Sequence, residues 1–174
     1  MPLERAHGYQ VSPGWTTVYD DTTGLHNRRY FYHCLSLECE RARRQGTAFS
    51  LIVMRFERGG AHGAGPRRGR LAADRGRLDS GTRSEDIVAL LGSNELAVVA
   101  MGVWCKMVPQ VVERLQVALE GSLVDSGDRQ TIRLGAATYG ARHLHPSTLL
   151  RLARSSSNGR SSLGDAEEEE GLVA

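Results

Sequence analysis

The sequence predicts a helix-backed sheet of the α/β or α+β type. Two apolar runs, Ile87–Leu91 and Glu95–Met101, are separated only by Gly92-Ser93-Asn94, the pattern of a β-hairpin. Apolar residues recur at helical spacing both before and after that hairpin, and two further strand-like runs complete an alternating order.

Asn27 is an N-cap candidate for a helix running to about Gln45, with Tyr30, Phe31, Cys34, Leu35 and Ala42 on one face and Gly46 as its stop. Ala48 to Met54 reads as a short buried strand. From Arg58 to Arg83 the chain carries seven Arg, seven Gly and two acids, so any helix there, around Arg68 to Leu78, is expected to be weak, and the segment is read as a solvated loop. The hairpin is followed by an amphipathic helix from Met107 to Leu119, ended by Gly121. Gln130–Tyr139 is a further strand, and Pro146 opens a last helix that reaches about Arg154. From residue 157 the chain is polar and ends in the acidic block Glu167–Glu170, so residues 157–174 are expected to be a disordered tail.

With 174 residues, 40% hydrophobic and 24% charged, the chain has the composition of one globular domain that can bury its own core. Its longest apolar runs fall far short of the ~18 residues that cross a bilayer, and the opening twenty residues lack a signal-peptide apolar region. A cytoplasmic location is therefore expected. Cys34, Cys39 and Cys105 have neither metal-site nor paired spacing, so all three are read as small buried hydrophobes. His143 and His145 flank Leu144 with no third ligand nearby and read as a polar loop; no metal site is predicted. A net charge of +2 and an Arg-rich segment without interleaved aromatics give no case for nucleic acid as a partner. Phosphate-binding glycine motifs, zinc-protease motifs and nucleophile elbows are absent from the sequence.

Asp21-Thr22-Thr23-Gly24-Leu25-His26-Asn27-Arg28-Arg29-Tyr30-Phe31 resembles D-x-L-T-G-L-x-N-R-R-x-F, the opening string of the GGDEF family of diguanylate cyclases. Asp86–Val99 resembles that family's signature hairpin, and Ile132–Tyr139 its later strand. The resemblance implies a nucleotidyl-cyclase-like fold over residues 20–156, with a mostly antiparallel central sheet flanked by helices and a short extension at residues 1–19. It also implies a comparison at the turn, where Gly92-Ser93-Asn94-Glu95-Leu96 replaces Gly-Gly-Asp/Glu-Glu-Phe, a change at three of five letters. Asn94 stands where the family has a carboxylate metal ligand, and Arg55 stands at the family's other metal-binding aspartate. Ser93 adds a side chain where the family's glycine lets substrate approach. Neither the GTP-gripping residues, sought in Arg58–Pro66, nor the basic pair of the last helix, sought in Arg154–Arg160, is recognisable. Cyclase activity is therefore expected to be lost, with no catalytic residue and no cofactor.

In many cyclases an Arg-x-x-Asp five residues before the signature binds the product cyclic di-GMP. Arg83 and Asp86 occupy that place here, and Arg114 matches a second arginine of the following helix. Guanidinium can pair with guanine O6 and N7 or with phosphate, and carboxylate with the guanine N1 and N2 hydrogens. Arg83, Asp86 and Arg114 are thus the expected cyclic di-GMP site of a receptor that regulates an effector protein, with homodimerisation open. Two alternatives accompany this reading. Arg83 and Asp86 could be a surface ion pair, and the domain could be a nucleotide-independent protein-interaction scaffold.

Overall fold

The computed structural model describes residues 17–58, 71–72, 75–124, 130–140 and 144–156. Helix α1 spans Arg28–Gln45. The Asn27 side chain accepts from the Tyr30 N–H at 2.9 Å, so the expected N-cap forms, and Gly46 closes the helix at φ 63°, a left-handed conformation that glycine adopts without Cβ strain. Asn27→Ala is expected to lower stability by about 1 kcal/mol in urea denaturation, whereas an unchanged midpoint would mean that the cap contributes nothing.

Strand β1 (Phe49–Arg58) is longer than the apolar run suggests, and helix α2 (Arg75–Gly81) overlaps the weak helix expected around Arg68–Leu78, within which Leu71 and Ala72 are also helical and residues 68–70 and 73–74 lie outside the described residues. Strands β2 (Ile87–Gly92) and β3 (Glu95–Met101) form the hairpin. A single 3-10 turn, Cys105–Met107, leads into α3 (Val108–Val124). The helix passes through Gly121, correcting the predicted stop. Gly121 lies inside the α-helix, where a glycine costs only about 1 kcal/mol. Strand β4 (Gln130–Tyr139) has its predicted limits, and α4 runs Pro146–Ser156 with its proline in the first turn, where the missing N–H is harmless.

The four strands are ordered β2-β3-β1-β4, and every neighbouring pair is antiparallel. Both faces of the sheet are covered, which explains why β2 and, after Glu95, β3 run apolar instead of alternating. On one face Leu51, Val53, Ala97 and Val99 pack with Phe31, Leu35 and Cys39 of α1 and Leu149, Leu150 and Ala153 of α4. On the other, Ile52, Met54, Leu96 and Val98 pack with Leu78 of α2 and Val111, Leu115 and Leu119 of α3. The molecule is thus an α+β domain in three layers. Cys34 and Cys39 are buried as expected, and burial pushes the Cys39 thiol up to about 12. Cys105 is exposed, because it opens the 3-10 turn beyond the end of β3.

No helix among the described residues is long and apolar enough to cross a membrane. The extension up to residue 16, most of the Arg/Gly-rich segment, His143 and the acidic tail lie outside the described residues.

Candidate functional site

The string Asp21–Phe31 forms a corner against the edge of the sheet. Its ordering carboxylate is that of Asp20, one residue earlier: Oδ1 accepts from the Thr23 N–H and hydroxyl, both at 3.0 Å. Gly24 follows at φ 65°, and His26 bridges to β2, accepting from the Leu90 N–H at 2.8 Å and donating to the Val88 carbonyl at 3.2 Å. The corner therefore extends the sheet edge and aims α1 across it.

At the hairpin end, the cross-strand register places Arg55 of β1 directly opposite Glu95 of β3 and Arg133 of β4. The Arg55 guanidinium lies 3.4 Å from Glu95 Oε1. Arg154 of α4 approaches the same carboxylate from above, with Nε 3.0 Å from Oε1 and a terminal nitrogen 2.6 Å from Oε2. This two-point contact holds the Arg154 guanidinium more firmly protonated than usual. Glu95 is therefore clamped by two guanidiniums, with 12% of its side chain exposed. The Asn94 amide donates to the Phe56 carbonyl at 3.4 Å, while the Phe56 N–H donates to the Asn94 carbonyl at 2.9 Å. A carboxylate at position 94 would set two acceptors face to face unless a cation stood between them. Glu57 is also engaged, with Arg133 at 2.6 Å. Gly92 and Ser93 complete the turn, and Leu96 is fully buried beneath it. Among the described residues, no group of three or more His, Cys, Asp or Glu side chains is placed to hold a metal ion.

The second predicted site lies at the start of β2. Asp86 is 5% exposed, and its two oxygens accept from the backbone N–H groups of Arg83 (2.8 Å) and Met101 (3.0 Å). Burial is the main influence on its carboxyl and raises the pKa, opposed by those two hydrogen bonds. Asp86 thus pegs the 83–86 turn to the end of β3, while the half-exposed Arg83 guanidinium stands 3.9 Å from Glu85. On α3, Arg114 Nε donates to the Gly81 carbonyl at 2.7 Å. Gly81 meets α3 closely, and a Cβ there would come within 3.2 Å of Ala118, so the helix end and Arg114 are brought together. Arg114 is therefore anchored two residues before Arg83, and the geometry gathers all three predicted residues around one turn.

Sequence reasoning missed Arg154 as a site residue. It is 59 residues from Glu95, and no local spacing links the two. His145 caps its own loop, with Nδ1 2.8 Å from the Ser147 hydroxyl.

Residues 17–58 match the family model described as diguanylate cyclase, GGDEF domain. Similar solved structures include the GGDEF domain of FimX from Pseudomonas aeruginosa, 18% identical, with 82% of this chain and 92% of that one covered at a TM-score of 0.69. The GGDEF domain of DgcB from Caulobacter crescentus in complex with c-di-GMP is 17% identical, with 86% and 89% covered at a TM-score of 0.67. The diguanylate cyclase SiaD from Pseudomonas aeruginosa, in complex with its activator SiaC, is 20% identical at a TM-score of 0.69, with 82% of this chain but 57% of SiaD covered. No curated protein matches the chain. The fold is that of the GGDEF domains, and the match over residues 17–58 supports the same family for the sequence.

Proposed function

We propose that this chain is a GGDEF-type domain, residues 20–156, without cyclase activity, and that it binds cyclic di-GMP at the Arg83–Asp86 turn as a cytoplasmic receptor acting on an effector protein. The observation that carries the receptor half is the tie between Arg114 and the Gly81 carbonyl, which holds a second guanidinium beside the turn bearing Arg83. Two guanidiniums beside one turn, Arg83 on it and Arg114 reaching it from α3, suit a ligand with two phosphates and two guanine edges. Asp86 contributes by fixing the turn. Cyclic di-GMP is carried by the solved DgcB domain, which has the same fold.

The hairpin end supports the loss of catalysis. A divalent cation shared by triphosphate oxygens needs hard anionic oxygens. Here Arg55 and Asn94 offer none, and Glu95 is engaged by two cations. The residues present do not fit magnesium, so no chemical step is assigned to it.

Isothermal titration with cyclic di-GMP tests the receptor. Arg83→Ala and Arg114→Ala are each expected to weaken binding by about tenfold or more, the loss of one charge-assisted contact. Unaltered affinity in both folded variants would overturn the assignment of the site. Effector binding that is indifferent to the nucleotide would instead indicate a protein-interaction scaffold.

A further inference from the structure

The two neighbouring carboxylates of the 83–86 turn have different surroundings. Asp86 is 5% exposed, and each of its oxygens accepts from a backbone N–H, one of Arg83 and one of Met101. A carboxylate held in this way faces the fold and not an incoming ligand. Glu85 is the opposite case, with 52% of its side chain exposed. Its Oε2 accepts from the Ser84 hydroxyl at 3.2 Å, and its Oε1 stands 3.9 Å from a terminal nitrogen of Arg83. That separation exceeds a hydrogen bond, so guanidinium and carboxylate lie side by side on the turn, each about half exposed.

A donor group beside an acceptor group is the complement of guanine. Its O6 and N7 accept, which suits the Arg83 guanidinium, and the adjoining N1–H and N2–H donate, which suits the Glu85 carboxylate. Adenine reverses the pattern. Its C6 amino group would turn donors toward the guanidinium, and its bare N1 lone pair would face the carboxylate, so the same pair of side chains opposes it. An exposed ion pair is held only weakly, so parting Arg83 and Glu85 around a base costs little.

We propose that Glu85, and not Asp86, is the acceptor that reads the base at this turn, and that it makes the site select cyclic di-GMP over its adenine counterpart. The inference rests on the receptor reading of Arg83 and Arg114 and adds to it the residue that sets base specificity. Asp86 keeps the turn in place, Arg83 meets O6 and N7, and Glu85 meets N1–H and N2–H.

The test is isothermal titration of the full chain with cyclic di-GMP and with cyclic di-AMP, repeated for Glu85→Ala and Glu85→Gln. The unsubstituted chain is expected to favour cyclic di-GMP by about a hundredfold or more, two reversed contacts at about tenfold each. Glu85→Ala should cut that preference about tenfold, chiefly through weaker cyclic di-GMP binding, and Glu85→Gln, which retains one acceptor, should fall between. The position is exposed, so both variants are expected to keep the unfolding midpoint of the unsubstituted chain. An unchanged preference in Glu85→Ala, equal binding of the two dinucleotides by the unsubstituted chain, or tighter binding of both by the variant would overturn the proposal; the last would make Glu85 a competitor for Arg83. Each of these leaves the receptor reading standing, whereas no binding of cyclic di-GMP by the folded, unsubstituted chain would overturn both.

Discussion

Glu95→Ala is expected to destabilise the domain by about 2 kcal/mol and to loosen α4 from the hairpin. Removing one partner of a buried ion pair leaves the other charges uncompensated, which can cost about 3–5 kcal/mol in a fully buried site. Here the Arg154 side chain is 35% exposed and that of Arg55 28%, so water screens part of the loss. The variant should show a lower urea midpoint and faster hydrogen exchange in Pro146–Ser156, since Arg154 makes the described two-point link from that helix to the hairpin. An unchanged midpoint would mean that the cluster is balanced by desolvation and contributes no stability.

Asp86→Ala is expected to cost about 3 kcal/mol, the second large effect. Two backbone N–H groups, those of Arg83 and Met101, lose their acceptor together, and each buried unsatisfied donor costs about 1–3 kcal/mol. Asp86→Asn restores one acceptor but turns an amide N–H toward the other donor, so it should recover only part of the loss. Equal stability of wild type and Asp86→Ala in thermal unfolding would contradict the pegging role. This role also sharpens any binding result, because losing Asp86 would weaken the ligand site by releasing the turn, whereas losing Arg83 should leave the fold intact.

Glu38 gives a pH signature. Its carboxyl has a folded pKa above its ordinary value of 4.5, so the native state binds protons more readily than the unfolded chain. Its contribution is therefore greatest below 4.5 and declines as pH rises through the raised pKa. The Tm difference between Glu38→Gln and wild type should widen in favour of the variant over that interval; parallel curves would show that Glu38 titrates normally.

Much of the fold is legible because it is written in local chemistry. Asn27 and Gly46 mark the ends of α1 through side-chain and backbone bonds made within four residues, and the Gly-Ser-Asn turn sits between two apolar runs. Gly121 misleads because a glycine stops a helix only when it takes up the left-handed conformation, and no residue type announces which it will do. The end of β1 is hidden because Arg55 and Glu57 break its apolar run. Their partners, Glu95 and Arg133, become visible only through the register of the neighbouring strands. The positions of Arg83, Asp86 and Arg114 are readable from spacing to the turn. What escapes is that Asp86 spends its oxygens on backbone, including Met101 fifteen residues away, and that the Arg83 backbone, rather than a surface ion pair alone, makes the contact.

The most direct test of a receptor without cyclase chemistry is one calorimetric experiment on a single folded preparation, with cyclic di-GMP in one cell and GTP with magnesium in the other, the second assayed afterwards for cyclic di-GMP. Saturable heat from cyclic di-GMP, diminished by Arg83→Ala, with no product from GTP, is the predicted result. Formation of cyclic di-GMP from GTP, or no binding of cyclic di-GMP by folded protein, would contradict it.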